Sequence, residues 1–422
     1  MSQKLERIEL FDRKSTLWFL LMLLGVTFFS LGYEYYHYRA LKYFHDPLVR
    51  ALVIDQEVRF AGHHPKTFLK VQLDHGAVCR CTLSPYLRDM RGREVLVELQ
   101  VKNVTFWDYL KGFYAHATLY ALYPSLSLKE TGYRWIASQH DHPWMQQLYG
   151  ALFVATPMSH DLQALVGAMG LSAILSISGY HFGILSLIAY FFLRFPYRWL
   201  HNRYFPYRHG NRDLFGIVLG LLFGYLWVLE CIPPMVRSFG MIVVGYWLYD
   251  RGIKMVSFQT LGITLGVLLA VLPRLWFSWG FWFSSLGVLS IFVFVRHYGH
   301  WKPWQIFLAL NVWCYLALLP LSLGLFHTFS WWNIGSIPLS LLFNLYYPLV
   351  LLLHGVTQWG AMFDPYLKAL LASAVIHTIV MPFWVALLSV FFTLLAIRWR
   401  WGVWLSGVMG GLTLVYAMYQ IA

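Results

Sequence analysis

Ile306-Phe-Leu-Ala-Leu-Asn-Val-Trp-Cys-Tyr-Leu-Ala-Leu-Leu-Pro-Leu-Ser-Leu-Gly-Leu-Phe326 runs for 21 residues without a charge. As a helix it would extend about 32 Å at 1.5 Å per residue, close to the roughly 30 Å of hydrocarbon in a bilayer. A helix satisfies its own backbone hydrogen bonds where no water is present, so this stretch reads as a membrane span. Outward from it lie further runs nearly free of charge. They are Leu17–Gly32, Asp213–Leu229, Met235–Tyr249, Leu261–Leu272, Gly280–Val295, Ser336–Leu353, Leu370–Ile397 and Val403–Tyr419. With an interrupted run between Leu165 and Phe192, they give about ten spans. Hydrophobic residues make up 59% of the chain and charged residues 12%, against about 25% charged in a soluble domain. A soluble globular protein is excluded. The fold expected is mainly α, a polytopic transmembrane helical bundle.

The net charge of +13 sits largely in short connections between spans. Five arginines and no acid lie between Arg194 and Arg212; Arg251 with Lys254 and Arg296 with Lys302 mark two more. The positive-inside rule places all three in the cytoplasm, and pairs of spans separate them, so one topology satisfies all of them. Arg398 and Arg400 join that side only if Leu370–Ile397 enters, breaks near Pro382 and returns. Lys4, Arg7, Arg13 and Lys14 precede the first run, and bulky Tyr33, Tyr35 and Tyr36 continue it. With no small-residue cleavage site, residues 1–45 read as an uncleaved anchor whose following segment is exported.

That segment, 46–106, is the one sizeable hydrophilic piece. Val49–Val58, Thr67–Asp74, Val78–Leu83 and Glu94–Val104 alternate apolar with polar residues, the period of half-buried strands. Gly62, Asp74-His75-Gly76 and Arg91-Gly92 supply turns. A small β-barrel of the oligonucleotide-binding (OB-like) type fits this length on the extracytoplasmic side. Nine Lys/Arg against seven Asp/Glu is a weak bias for a nucleic-acid groove, and a structural cap on the bundle explains the segment equally well. Cys79 and Cys81, about 7 Å apart on one strand face, read as free thiols. Cys231 and Cys314 read as small apolar fillers. No metal-ligand pattern occurs, so no metal or cofactor is expected.

Residues 107–143 read as an interfacial helix and linker. Tyr109, Phe113, His116 and Tyr120 recur every three to four residues, so Trp107–Tyr123 is expected to be a helix with an aromatic face, ended by Pro124.

Residues 144–422 carry the bundle and two unusual segments. Gly170, Ser172, Ser176, Ser178 and Gly179 precede His181 at membrane depth, where polar groups are costly unless they face protein or a wet cavity. Small residues also permit close helix packing around a hydrogen-bonded histidine. The second segment, Glu230-Cys-Ile-Pro-Pro-Met-Val-Arg237, holds Pro233 and Pro234, which break a continuous helix. Glu230 and Arg237 flank that corner and are placed to pair with each other. A plain hairpin turn with charges at the membrane edge accounts for it too.

These segments resemble the ComEC competence protein family. Its members carry a string close to Gly-Leu-Ser-His-Leu-Leu-Ala-Ile-Ser-Gly-Leu-His, and this chain has Gly170-Leu-Ser-Ala-Ile-Leu-Ser-Ile-Ser-Gly-Tyr-His181. A family Pro-Ser-x-x-Arg-Ala element resembles Pro233-Pro-Met-Val-Arg237-Ser238. A Gly-Phe-x-Leu-Ser segment is similar to Gly280-Phe-Trp-Phe-Ser284, and an Asn-x-x-x-x-Pro element to Asn333-Ile-Gly-Ser-Ile-Pro338. All four fall in the family's order. Ala173 stands where the family has a second histidine, Tyr180 replaces an aliphatic residue and Ser176 an alanine. Many members add a metallo-β-lactamase-like domain. His140-Asp-His142 is too short for that domain's ligand string, so a family nuclease would be supplied by another chain.

The resemblance implies a channel that passes single-stranded DNA across the inner (cytoplasmic) membrane during natural transformation. Ser172, Ser176, Ser178, Gly179, Tyr180, His181 and Arg237 are then the expected pore-lining or DNA-contacting residues. His181 supplies a hydrogen-bond donor that can become a cation near pH ~6.5. Glu230, Pro233, Pro234, Asn333 and Pro338 are expected to shape or gate the path, and Tyr180, Trp282 and Trp331 to stack on bases. The repeated Phe195-Pro-Tyr-Arg198 and Phe205-Pro-Tyr-Arg208 suit an anchor on anionic membrane lipids, or reception of the emerging strand. No Gly-rich loop ending in Gly-Lys-Ser/Thr is present, so a motor would come from a partner. An extracytoplasmic DNA receptor and a cytoplasmic helicase are implied by analogy alone.

Two other classes compete. A secondary transporter shares broken spans and intramembrane polar groups, but Glu230 is the sole carboxylate within the bundle suited to ion coupling, and no internal repeat is visible. An intramembrane hydrolase would use Ser178 and His181, three residues apart, yet nothing orients the histidine. No catalytic residue is therefore expected.

Overall fold

The structure, a computed structural model, describes residues 13–43, 47–61, 64–83, 90–175, 179–204, 207, 209–231, 233–250, 258–357 and 359–421. A long helix, α1 (Arg13–Tyr43), comes first among the described residues, and most of its apolar side chains before Tyr38 face outward, Phe28 and Phe29 among them. An apolar helix with so little burial within its own chain suits lipid contact.

Four strands follow: β1 (Leu48–Ala61), β2 (His64–Leu73), β3 (Val78–Leu83) and β4 (Arg93–Gln100). A short helix, α2 (Phe106–Lys111), leads to β5 (Phe113–Leu126). The sheet closes in the order β1-β2-β3-β5-β4, with β4 returning to β1. Closure leaves no free edge, and alternation buries Val53, Val71, Cys79, Cys81, Val95, Val97 and Leu99 inside. This is the OB-like barrel expected, with one correction. The helix read over Trp107–Tyr123 is helical only to Lys111; the rest is β5, parallel to β3 and antiparallel to β4. Thr105 and Asp108 form a capping box that starts α2, and Gly112 ends it at φ 97°. Cys79 and Cys81 are free and buried; burial pushes the Cys81 thiol up to about 12, and Cys79 upward too.

The remaining chain is helical. After α3 (Leu128–Ala137) and α4 (Pro143–Val154) come α5 (His160–Ala168) and a single turn, α6 (Ser172–Leu175). Next are α7 (Gly179–Tyr204), α8 (Gly210–Val228), α9 (Pro233–Asp250) and α10 (Phe258–Val271). A 3-10 turn over Pro273–Phe277 leads to α11 (Trp279–Tyr298) and α12 (Pro303–Phe326). After strand β6 (Thr328–Phe329) and α13 (Trp332–Leu352), a π-helical turn covers Leu353–Thr357. The chain ends with α14 (Asp364–Ala372), strand β7 (His377–Thr378), α15 (Phe383–Leu395) and α16 (Arg400–Ile421).

Among the described residues, six helices are long and apolar enough to cross a bilayer: α1, α8, α11, α12, α13 and α16. α10 and α15 are apolar but shorter. The expected break near Pro382 is present, because α14 stops at Ala372 and β7 pairs with β6 before α15 begins. The loop expected from Arg194 is instead helix as far as Tyr204, so Arg194, Arg198 and Arg203 lie on the last turns of α7. Cations are favourable near a helix C-terminus.

Contacts that seat the barrel on the bundle include the following. Tyr38 on α1 donates its hydroxyl to Val104 O (2.9 Å). Arg274, in the 3-10 turn, bonds Glu34 on α1 (2.6 Å) and the Tyr109 hydroxyl (3.2 Å). His75, in the β2–β3 turn, stacks on His37 of α1 with centroids 5.0 Å apart. Burial, then Arg274, then His37 hold His75 down to about 4.

A broken helix as the candidate functional site

The break between α5 and α7 is the centre on which the separated motifs meet. α5 ends at Ala168, and Gly170 turns the chain at φ 73°. That conformation costs an L-residue about 1–2 kcal/mol. Space is also short: a Cβ on Gly170 would lie 3.2 Å from Asn333 Cγ and from Ser336 Cβ. Asn333, at the start of α13, donates its amide to Ala168 O (3.0 Å) and accepts from the Tyr315 hydroxyl of α12 (2.7 Å). The carbonyl freed by the end of α5 is thus satisfied by a side chain rather than by the next turn.

On the other side of the break, Gly179 opens α7 against Ser238 of α9, whose Oγ would sit 3.3 Å from an added Cβ. Gly170–His181, Pro233–Ser238 and Asn333–Pro338 therefore converge on one junction, although Asn333 follows Gly170 by 163 residues (333 − 170). Gly280–Ser284 does not join them. Phe281 is buried against Leu269 and Leu275, and Trp282 bonds Trp276 O (3.0 Å).

His181 lies in the first turn of α7 and is fully buried. Its ring meets Tyr347 edge-on at 4.6 Å and Phe343 at 5.6 Å, both on α13. Ser172 and Tyr180 are exposed, and Gly179 is half-buried. Trp331 is exposed at the start of α13. Ser176, Ser178 and the side chains of Pro233, Pro234 and Arg237 lie outside the described residues.

The corner before α9 is non-helical, as the two prolines require. Glu230 and Cys231 take φ 61° and 52°, and α9 starts at Pro233. A proline fits the first turn of a helix because its missing N–H has no partner there. The expected pairing of Glu230 with Arg237 falls on a side chain outside the described residues, but Glu230 has another partner. Its Oε2 lies 3.0 Å from Lys129 Nζ on α3, with side chains only 18% and 8% exposed. No sequence spacing could have pointed to a partner 101 residues away. Pro338 sits within α13 and withholds an N–H from Ile334 O.

Sequence reasoning also missed Tyr315, Phe343 and Tyr347, which complete the junction. Each looks like ordinary span filling until α12, α13 and α7 are brought together. Among the described residues no group of three His, Cys, Asp or Glu is arranged to hold a metal ion.

No curated protein and no solved structure matches the chain. A model of the competence protein family matches residues 155–422, which takes in the whole of this junction. The match spans well over half of the chain, so this multi-pass membrane protein belongs to the competence protein family, of the ComEC type, whose role is in DNA uptake.

Proposed function

We propose that this chain conducts single-stranded DNA across the cytoplasmic membrane, and that the junction of α5, α6, α7, α9 and α13 forms its path. The observation that carries this reading is the convergence on one helix break of three motifs from the family-matched region. A polyanion needs a wet or polar path through about 30 Å of hydrocarbon, and irregular backbone at that depth is tolerated where it lines a cavity. Ser172 and Tyr180 offer a hydroxyl and a ring at the surface of this break. His181 is enclosed by α13 here, so it would meet a phosphate only when α7 and α13 part. In that reading Tyr347 and Phe343 hold the path shut and Asn333 fixes the break's edge. The protein acts as a channel without covalent chemistry of its own.

The barrel touches the bundle at Glu230, through α3, and at Pro273–Phe277, the ends opposite the basic connections. With the positive-inside rule, this supports an extracytoplasmic barrel. An outer DNA receptor and an inner helicase would complete the route.

The test is uptake of labelled DNA in a strain lacking this gene, with surface-bound and cytoplasmic label separated. DNA that binds the cell but never reaches the cytoplasm, with recovery on re-expression, is the expected result. Unchanged cytoplasmic label overturns the reading. A re-expressed His181→Phe variant, which keeps the ring packing but removes the N–H, is expected to reach normal membrane levels and stay deficient in uptake.

A further inference from the structure

A second polar cluster lies away from the junction, where the linker before α4 meets the end of α13. His140 is buried, and its Nδ1 lies 2.9 and 3.1 Å from the two carboxylate oxygens of Asp364, at the start of α14. Its Nε2 lies 3.0 Å from Nε2 of His354, also buried. His354 Nδ1 lies 2.8 Å from Val350 O, one turn earlier. Four groups therefore form a chain: carboxylate, imidazole, imidazole, carbonyl.

Counting protons along it is decisive. A carbonyl oxygen can only accept, so His354 Nδ1 carries hydrogen. A neutral His354 then has a bare Nε2, which must accept from His140 Nε2–H. His140 Nδ1 faces a carboxylate, and imidazole is the stronger base by about 2–3 pH units, so Nδ1 carries hydrogen as well. All three hydrogen bonds are made only when the chain holds one proton more than a carboxylate and two neutral imidazoles.

We infer that His140, His354 and Asp364 form a proton-binding site, in which His140 is an imidazolium between the Asp364 carboxylate and His354 Nε2. Loss of that proton leaves two hydrogens for three bonds and the Asp364 carboxylate, only 17% exposed, without a counter-charge, so the occupied state is the stable one and release occurs as pH rises.

The surroundings are otherwise neutral. Tyr149 of α4 stacks on the His140 ring at 4.4 Å and hydrogen-bonds the Tyr346 hydroxyl of α13 (2.9 Å). Gln139 donates to His354 O (3.4 Å) and Gln146 to His140 O (2.8 Å). Asp141 and Lys368 are exposed, and His142 turns away to accept from Trp144 N–H. The backbone is shaped around the two rings. His354 sits in the π-helical turn, a distortion frequent at functional sites. Gly360 passes so close that a Cβ would lie 2.7 Å from His354 Nε2. The same α13 carries Asn333, Phe343 and Tyr347 to the junction, so a change in the proton's presence bears on the end of a helix that closes it. The site itself does not depend on the DNA reading.

The test is 15N spectroscopy of histidine-labelled full-length protein in lipid nanodiscs at about pH 8, where a free imidazole (pKa about 6.5) is neutral. One histidine with both nitrogens protonated is expected, with a coupling across the hydrogen bond to the bare nitrogen of a second imidazole. Asp364→Asn, eluting as the wild type, is expected to lose the imidazolium signal. Only neutral histidines in the wild type, or no imidazole–imidazole coupling there, overturns the proposal whether or not the variant folds. An imidazolium that survives in folded Asp364→Asn overturns it too.

Discussion

Lys129 Nζ and Glu230 Oε2 meet at 3.0 Å, joining the helix that leaves the barrel to the corner between α8 and α9. Glu230 holds a left-handed backbone at φ 61°, a conformation uncommon outside glycine. The ion pair ties this corner to the barrel side of the protein.

Removing either partner should be costly because the other charge, buried at Lys129 and only 18% exposed at Glu230, is left with little access to water. Lys129→Met is expected to destabilise the protein by about 3–5 kcal/mol, read as a lower unfolding midpoint in detergent. The double variant Lys129→Met/Glu230→Gln should recover much of that loss. A double variant no better than the single would show that the pair is not coupled.

The junction should be sensitive at Gly170. Gly170→Ala places a methyl group against Asn333 and Ser336 at a positive φ, adding crowding to about 1–2 kcal/mol of backbone strain. Reduced DNA uptake at normal membrane abundance is expected. Asn333→Leu, which leaves Ala168 O and the Tyr315 hydroxyl without their partner, should lower stability by about 1–3 kcal/mol. Wild-type behaviour of both variants would remove the junction from the mechanism.

The barrel contact should weaken in acid. His75 is depressed to about 4 by burial, Arg274 and His37, whereas an unfolded histidine titrates near 6.5. Between those values the undocked state binds more protons, so stability is complete above about pH 6.5 and falls toward pH 4. Hydrogen exchange of the β2–β3 turn should therefore accelerate across that window in the wild type. His75→Gln should flatten the dependence; an unchanged profile would assign it to another group.

Cysteine labelling should separate Cys231 from the barrel thiols. Cys231 is exposed at the corner, while Cys79 and Cys81 are sealed in the barrel with thiols shifted upward. The thiolate is the reactive form, so a membrane-impermeant maleimide should modify Cys231 first and the barrel pair only after unfolding. Applied to intact spheroplasts, labelling of Cys231 is expected, because the barrel side faces outward in the proposed topology. Protection there with labelling in inverted vesicles would reverse the orientation.

The membrane bundle was legible because span length and apolarity are local properties: Ile306–Phe326 needs no neighbour to be read as a span. The first four strands were legible for the same reason, since alternation records burial on one face. The Gly170–His181 and Pro233–Arg237 breaks were visible as small residues and prolines inside apolar runs. Position in three dimensions was not. Phe113–Leu126 carries aromatic spacing that suits a helix, yet it is a strand, because β3 and β4 each offer an edge that only a fifth strand can satisfy. Glu230 finds Lys129, and His140 finds Asp364 and His354, across 101, 224 and 214 residues. Buried polar groups take whichever partner the packed helices bring within about 3 Å. The sequence by itself determined that the chain holds long apolar spans interrupted by small residues and prolines, because those are local properties; the tertiary structure decided which breaks share one junction and which largely shielded charges meet.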